Sequence, residues 1–189
     1  MNIKYKMTFT KYQFNNCCYW PSNPKKIIEF IGGSYLASKP DLAYKRFIKS
    51  LIDKNYAVHA YKYTPQFDHQ ELAMRAWKNF KSCQRSLSKR IGTSIPSIRI
   101  GHSLGCKLHL ISPDGGRNCE KFISISFNNF SANKSIPFLK KISQKLEFTS
   151  EFSPSPERTF GIIKKTYYQK NNFLIKFNSD ELDQTDKLL

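Results

Sequence analysis

The chain is short of acid, of histidine and of long apolar runs. Only 14 of its 189 residues are Asp or Glu, against 31 Lys and Arg, so its formal net charge is +17. No stretch approaches the roughly 18 consecutive apolar residues that cross a bilayer. The opening MNIKYKMTFTKYQFNN likewise lacks the block of about 7 apolar residues at the centre of a secretory leader. A transmembrane segment and a signal peptide are therefore not expected, and the predicted location is cytoplasmic. The five cysteines, at 17, 18, 83, 106 and 119, are odd in number and contain no CxxC pair. That pattern argues against a disulfide framework or a zinc site and suits a reducing compartment; no metal and no cofactor are expected. Arginine is scarce too, only 7 of the 31 basic residues. Nucleic-acid surfaces favour Arg, stacked aromatics and a recognisable motif. Here the lysines are scattered among Asn and Ile, as codon bias in an AT-rich genome would leave them, and no specific nucleic-acid partner is expected. Long-range attraction to nucleic acid or to an anionic membrane remains the third-ranked functional reading.

What is present is a globular composition, 40% hydrophobic and 14% aromatic, in a length that fits one domain. The expected organisation is a single domain over 1–189 with 1–25 as a peripheral segment. From Ile27 onward, apolar runs bounded by turn residues alternate with amphipathic helices, the pattern of a parallel sheet covered on both faces. KKIIEFIGG, YAVHAYKY, IPSIRI, KFISISF and NFLIKF read as strands. SKPDLAYKRFIKSLIDKN reads as one helix with Tyr44, Phe47, Ile48, Leu51 and Ile52 on its buried face. FDHQELAMRAWKNFKSCQRSLSKRIG reads as the longest helix, capped by Asp68 with Glu71 three residues on, and with Ala73, Ala76, Trp77, Phe80, Cys83 and Leu87 buried. SIPFLKKISQKL and a helix opened by SPERT fill the space before the last strand, with Ser155 as cap and Pro156 in the first turn. The fold class is α/β, a doubly wound and mostly parallel sheet.

The run SIRIGHSLGCKLHLI holds strand, Gly-x-Ser-x-Gly, helix: Gly101, His102, Ser103, Leu104, Gly105. A turn this tight leaves no room for side chains two residues either side of the serine, and it forces the serine into a strained conformation that exposes its hydroxyl. Ser103 is the candidate nucleophile, and the backbone N–H of Leu104 a candidate oxyanion donor. A tight turn with a merely structural serine is the plainer alternative.

Those residues, with FIGGSYLASKPDLAYKRF, FDHQELA, SFNNFSANKSIP, LEFTSEFSPSPERT and NFLIKFNSDELDQT, make the chain resemble the α/β-hydrolase superfamily. Within it, the chain is similar to the uncharacterised cyanobacterial and plastid family called domain of unknown function 1350. The resemblance implies that the loop after FIGG contributes a second oxyanion donor near Gly33 and Ser34. It also implies an acid three residues past the last strand, Asp180, with Asp183 as competitor, and a cyanobacterial cytoplasm or plastid stroma as compartment. A nucleophilic serine needs a base, usually a histidine oriented by a carboxylate, and in this superfamily that histidine follows the acid. Here the four histidines are His59, His69, His102 and His109, and none follows Asp180. Of these, His69 is the first suspect for a substitute base and His109 a core residue. The family pattern continues through a further strand and helix with a Gly-Asn-His segment. The resemblance therefore implies a sheet lacking its last strand and helix, in a truncated or frameshifted product or in a homologue that has lost the catalytic machinery. The expected function is serine-hydrolase-like, on a small or lipid-like ester, thioester or amide, with an incomplete triad. A non-catalytic binding or scaffolding module on the same fold is the alternative.

Overall fold

The five predicted strands become the parallel part of one sheet. The structure, a computed structural model, describes residues 9–13, 16–135 and 151–189. In chain order the strands are β1 (Phe9–Gln13), β2 (Asn16–Tyr19), β3 (Ile27–Ile31), β4 (Ala57–Tyr61), β5 (Ser97–His102), β6 (Lys121–Ile125) and β7 (Asn172–Ile175). They lie in the order β1-β2-β4-β3-β5-β6-β7. Every pairing from β4 to β7 is parallel, and the two that involve β2 are antiparallel. The helices are α1 (Pro40–Ala43), α2 (Lys45–Asp53), α3 (His69–Ile91), α4 (Leu104–Leu110), α5 (Ala132–Ser135) and α6 (Pro156–Thr166), and a short 3-10 turn spans Thr185–Leu188.

Side chains alternate across a strand, and β3 and β4 are buried along their whole length because each face has its own cover. On one face Ile28, Phe30, Val58, Ala60 and Ile100 meet Ile48, Phe47 and Leu51 of α2. On the other, Ile31 and Tyr61 meet Leu72, Ala73, Ala76 and Phe80 of α3 and Leu104 and Leu108 of α4. Asp68 caps α3 by accepting from the Glu71 N–H at 2.8 Å, and Gly92 ends it at φ 76°. Trp77 is only half-buried, with Lys81 Nζ 4.3 Å from its ring centroid, because it lies at the border of the stripe that carries Ala73, Ala76 and Phe80.

Three local features differ from the sequence reading. Residues 16–20 are built into the sheet edge: β2 pairs with β4, and Cys18 and Trp20 are buried with Ile27, Cys83 and Leu87. The single helix expected over 38–55 is divided at Tyr44, whose φ of −112° and ψ of 22° end α1 and begin α2. SIPFLKKISQKL, apart from Ser135, lies outside the described residues.

Candidate active site

β5 ends at His102 and α4 begins at Leu104, leaving Ser103 to make the whole change of direction at φ 53°, ψ −120°. That left-handed φ is strained for a side-chain-bearing residue and persists because the neighbours dictate it. A Cβ on Gly105 would lie 2.0 Å from the Ile31 carbonyl oxygen, and one on Gly101 would lie 2.6 Å from the Cys106 nitrogen. The start of α4 therefore rests directly on the backbone of β3. Ser103 N–H donates to the Ile125 carbonyl at 3.0 Å, tying the turn to β6. The Leu104 N–H, first of α4, has no intrahelical acceptor.

The loop after β3 closes over this turn. A Cβ on Gly33 would be 3.2 Å from His102 Nδ1 and 3.3 Å from Ser103 Cβ, so the loop packs tightly against the turn and a side chain there would require these neighbours to give by a few tenths of an ångström. The Gly33 N–H donates to the Tyr44 hydroxyl at 2.9 Å, and the same oxygen is 2.9 Å from His102 Nδ1. One backbone donor of the loop is thus already taken. The Ser34 N–H has no acceptor among the described residues. Burial lowers the pKa of His102, with the charge of Asp180 acting against it.

Asp180 and Asp183 both follow β7, in different roles. Asp180 Oδ2 accepts a short hydrogen bond from the Ser126 hydroxyl, and its Oδ1 accepts from the Leu182 N–H at 3.0 Å. Ser126 follows β6 directly, at φ 50°, so Asp180 is held at the carboxyl edge of the sheet, the edge where Ser103 also lies. Asp183 accepts instead from the N–H groups of Phe177 at 3.1 Å and Thr185 at 2.8 Å, at the start of the 3-10 turn. Burial alone would raise the Asp183 pKa, but the bonds from Thr185 and Phe177 and the charge of Lys176 bring it below the ordinary value. The position of Asp183 is that of a turn cap.

Among the described residues no hydrogen bond joins a histidine to Ser103 or to Asp180. His59 lies inside the core and accepts from Trp20 Nε1 at 2.8 Å. His109, buried on α4, stacks on Phe80 with ring centroids 5.9 Å apart. His69 comes nearest to the part: it lines the same pocket as Ser103. Its ring stacks 4.2 Å from that of Phe152, however, and its buried Nδ1 has no partner. Burial and the charge of Lys107 push its pKa down to about 3. With no carboxylate to orient it among the described residues, it makes a poor base near neutrality.

The pocket has a volume of about 320 Å³. Ser103, Leu104 and Lys107 of the turn and α4 form one wall, with Phe67 and His69 at the start of α3 and Phe130, Phe152 and Leu182 around them. Sequence reasoning missed Tyr44, Ser126 and Lys107 as parts of this site. Only Lys107 had left a signal, as the lone lysine within LGCKLHLI. No three His, Cys, Asp or Glu side chains gather as a metal site among the described residues.

The mostly parallel sheet, its strand order and the helices on both faces are those of an α/β-hydrolase fold. Solved structures agree. The monoacylglycerol lipase of Paleococcus ferrophilus matches with a TM-score of 0.52 and 11% identity over 86% of this chain and 87% of its own. Carboxyl esterase 2 of the mycorrhizal fungus Tuber melanosporum matches at 0.59 and 14% over 90% of this chain and 64% of its own. The fluorophosphonate-binding serine hydrolase F of Staphylococcus aureus matches at 0.57 and 11% over 90% and 75%. No curated protein matches. The chain belongs to the family described as "Protein of unknown function (DUF1350)", whose profile matches residues 13–189.

Proposed function

We propose that the protein is a serine hydrolase in build, directed at an ester, thioester or amide bond of a small or lipid-like molecule, and that these 189 residues hold the nucleophile and the acid without the base. The observation that carries this reading is Ser103 at φ 53° on the wall of a pocket, between two glycines that no other residue could replace without moving α4. Ser103 Oγ attacks the carbonyl carbon as its proton passes to a base, and collapse of the tetrahedral oxyanion breaks the bond to the alcohol, thiol or amine, which leaves with a proton; water then releases the acyl group. The oxyanion is met by the Leu104 and Ser34 N–H groups, with Gly33 bringing the loop close. In this reading Asp180 is the acid that orients an imidazole, and among the described residues none of the four histidines pairs with it or with Ser103. A positioned base contributes on the order of a hundred- to ten-thousandfold, and triad members act as a unit, so the unaided serine adds little.

The test compares the chain with its Ser103→Ala variant on nitrophenyl esters, with and without added imidazole as an external base. Without imidazole the two rates are expected to match. With it, a component dependent on Ser103 is expected to emerge. Dependence on Ser103 in the absence of imidazole would overturn the missing base, and His69→Ala would then be the next variant to measure. A second reading, a binding module that keeps the fold, is favoured by the Tyr44 hydroxyl occupying the Gly33 N–H. It predicts no Ser103-dependent rate under either condition.

A further inference from the structure

We propose that the pocket beside Ser103 selects a carboxylate carried on an otherwise apolar ester, and that Lys107 is the residue that holds it. Lys107 is 1% exposed, on a face of α4 that is apolar elsewhere. Its ammonium has three donors, of which one goes to the Pro154 carbonyl at 3.0 Å. Its Nζ also lies 5.9 Å from the centroid of the Phe152 ring, and no other acceptor is found for it among the described residues. Among the described residues no carboxylate lies within ion-pairing distance. The acid whose charge reaches it, Glu151, spends Oε1 on the N–H groups of Ala132 at 2.8 Å and Phe152 at 2.7 Å. A buried cation with so little compensation is unfavourable by itself, and an anion entering from the pocket would remove the deficit.

Two independent observations point the same way. His69, 3% exposed, lines the pocket with an Nδ1 that has no partner. The pocket wall also includes Lys134, and among the described residues none that line it is Asp or Glu. The rest of the wall, chiefly Leu104, Phe67, Phe130, Phe152 and Leu182, suits an apolar or aromatic body. Four helical steps of about 1.5 Å each separate Ser103 from Lys107, roughly 6 Å along the axis, so one small molecule can present a carbonyl to the serine and a carboxylate to the lysine. Burial brings the Lys107 pKa down to about 8, with the charge of Glu151 opposing the fall; the ammonium still predominates at neutral pH.

This rests on the hydrolase reading only for where the ester bond lies, and binding tests it without turnover. Calorimetric titration at pH 7 of the full Ser103→Ala chain would compare monobenzyl succinate with its neutral counterpart, benzyl methyl succinate. The acid is expected to bind about tenfold or more tightly, the size of one hydrogen bond to a charged group. In the Ser103→Ala, Lys107→Met double variant the preference should vanish while the diester changes by less than about twofold. Equal affinities, or no binding of either compound, would overturn the proposal; both are read without touching Lys107, so they stand even if the double variant fails to fold. Loss of the preference on Lys134→Met, at the more exposed lysine, would move the assignment away from Lys107 and overturn it too. If the esterase test fails while the carboxylate preference holds, only the catalytic reading falls.

Discussion

Arg99 on β5 lies opposite Glu29 on β3 and binds two carboxylates inside the protein. Its Nε meets Glu29 at 3.0 Å, and its Nη1 and Nη2 meet the two oxygens of Asp114 at 2.8 Å each. All three side chains are almost fully buried. Burial dominates for Glu29 and raises its pKa despite Arg99. For Asp114 burial also pushes upward, but the bonds and charge of Arg99, with help from Ser112 and Gly116, hold the carboxyl well below the usual range. Arg99→Met is expected to leave two buried acids facing one another without a cation and to lower stability by about 3–5 kcal/mol. Urea unfolding would show it. A loss below about 1 kcal/mol, the level of a surface pair, would contradict the account. The arginine was legible in SIRIGH as a strand residue. Its partners were not, because Glu29 and Asp114 come from other parts of the chain.

The element that decides the site is α4, and its seat on β3 is set by a missing side chain. Gly105→Ala puts a methyl group 2.0 Å from the Ile31 carbonyl, and a backbone atom cannot turn aside as a side chain can. The variant is expected to lose about 3 kcal/mol, to lift the helix, and to abolish any imidazole-dependent rate with it. Gly161 gives the control: it lies exposed within α6, and an added Cβ meets nothing within 4 Å. Gly161→Ala is expected to stabilise the chain by about 0.5–1 kcal/mol through helix propensity and a less free unfolded chain. Equal and small effects of the two alanines in thermal melts would refute the close contact at Gly105.

For the whole molecule, His59, His69 and His109 share one behaviour. Burial brings the pKa of each down to about 3, from about 6.5 in the unfolded chain. Below about pH 6.5 the unfolded state takes up protons that the native state refuses, so stability rises with pH across this window. It is complete above the unfolded value and is lost as pH falls from about 6.5 toward 3. Depressed carboxyls such as Asp114 and Asp183 add losses of the same sign at lower pH, and the existing charge of +17 adds repulsion. Urea midpoints are expected to drop steadily between pH 7 and pH 4; a level profile there would show that the histidines are not buried neutral.

Periodicity alone located β3 to β7 and the long helix α3, because burial on both faces of a parallel sheet writes itself as short apolar runs between amphipathic ones. The two glycines beside Ser103 announced a tight turn, since local chain geometry is a property of neighbouring residues. The hairpin of β1 and β2 was not legible in KYQFNNCCYW, because its partner β4 lies some 40 residues on and only β4's free edge gives it a reason to be a strand. Asp180 and Asp183 looked equivalent as two acids past the last strand; the hydrogen bonds they accept, one from a hydroxyl beyond β6 and the other from a turn's own N–H groups, separate them. Tyr44, by its spacing a core residue, bridges Gly33 and His102 because the helix breaks beneath it. Lys107 became a pocket residue in the same way. Local sequence determined the strands, helices and the turn at Ser103 through interactions within a few residues. Tertiary structure decided which polar groups meet at the sheet's carboxyl edge and which stay unpaired, because those relations depend on distances between segments that sequence spacing does not encode.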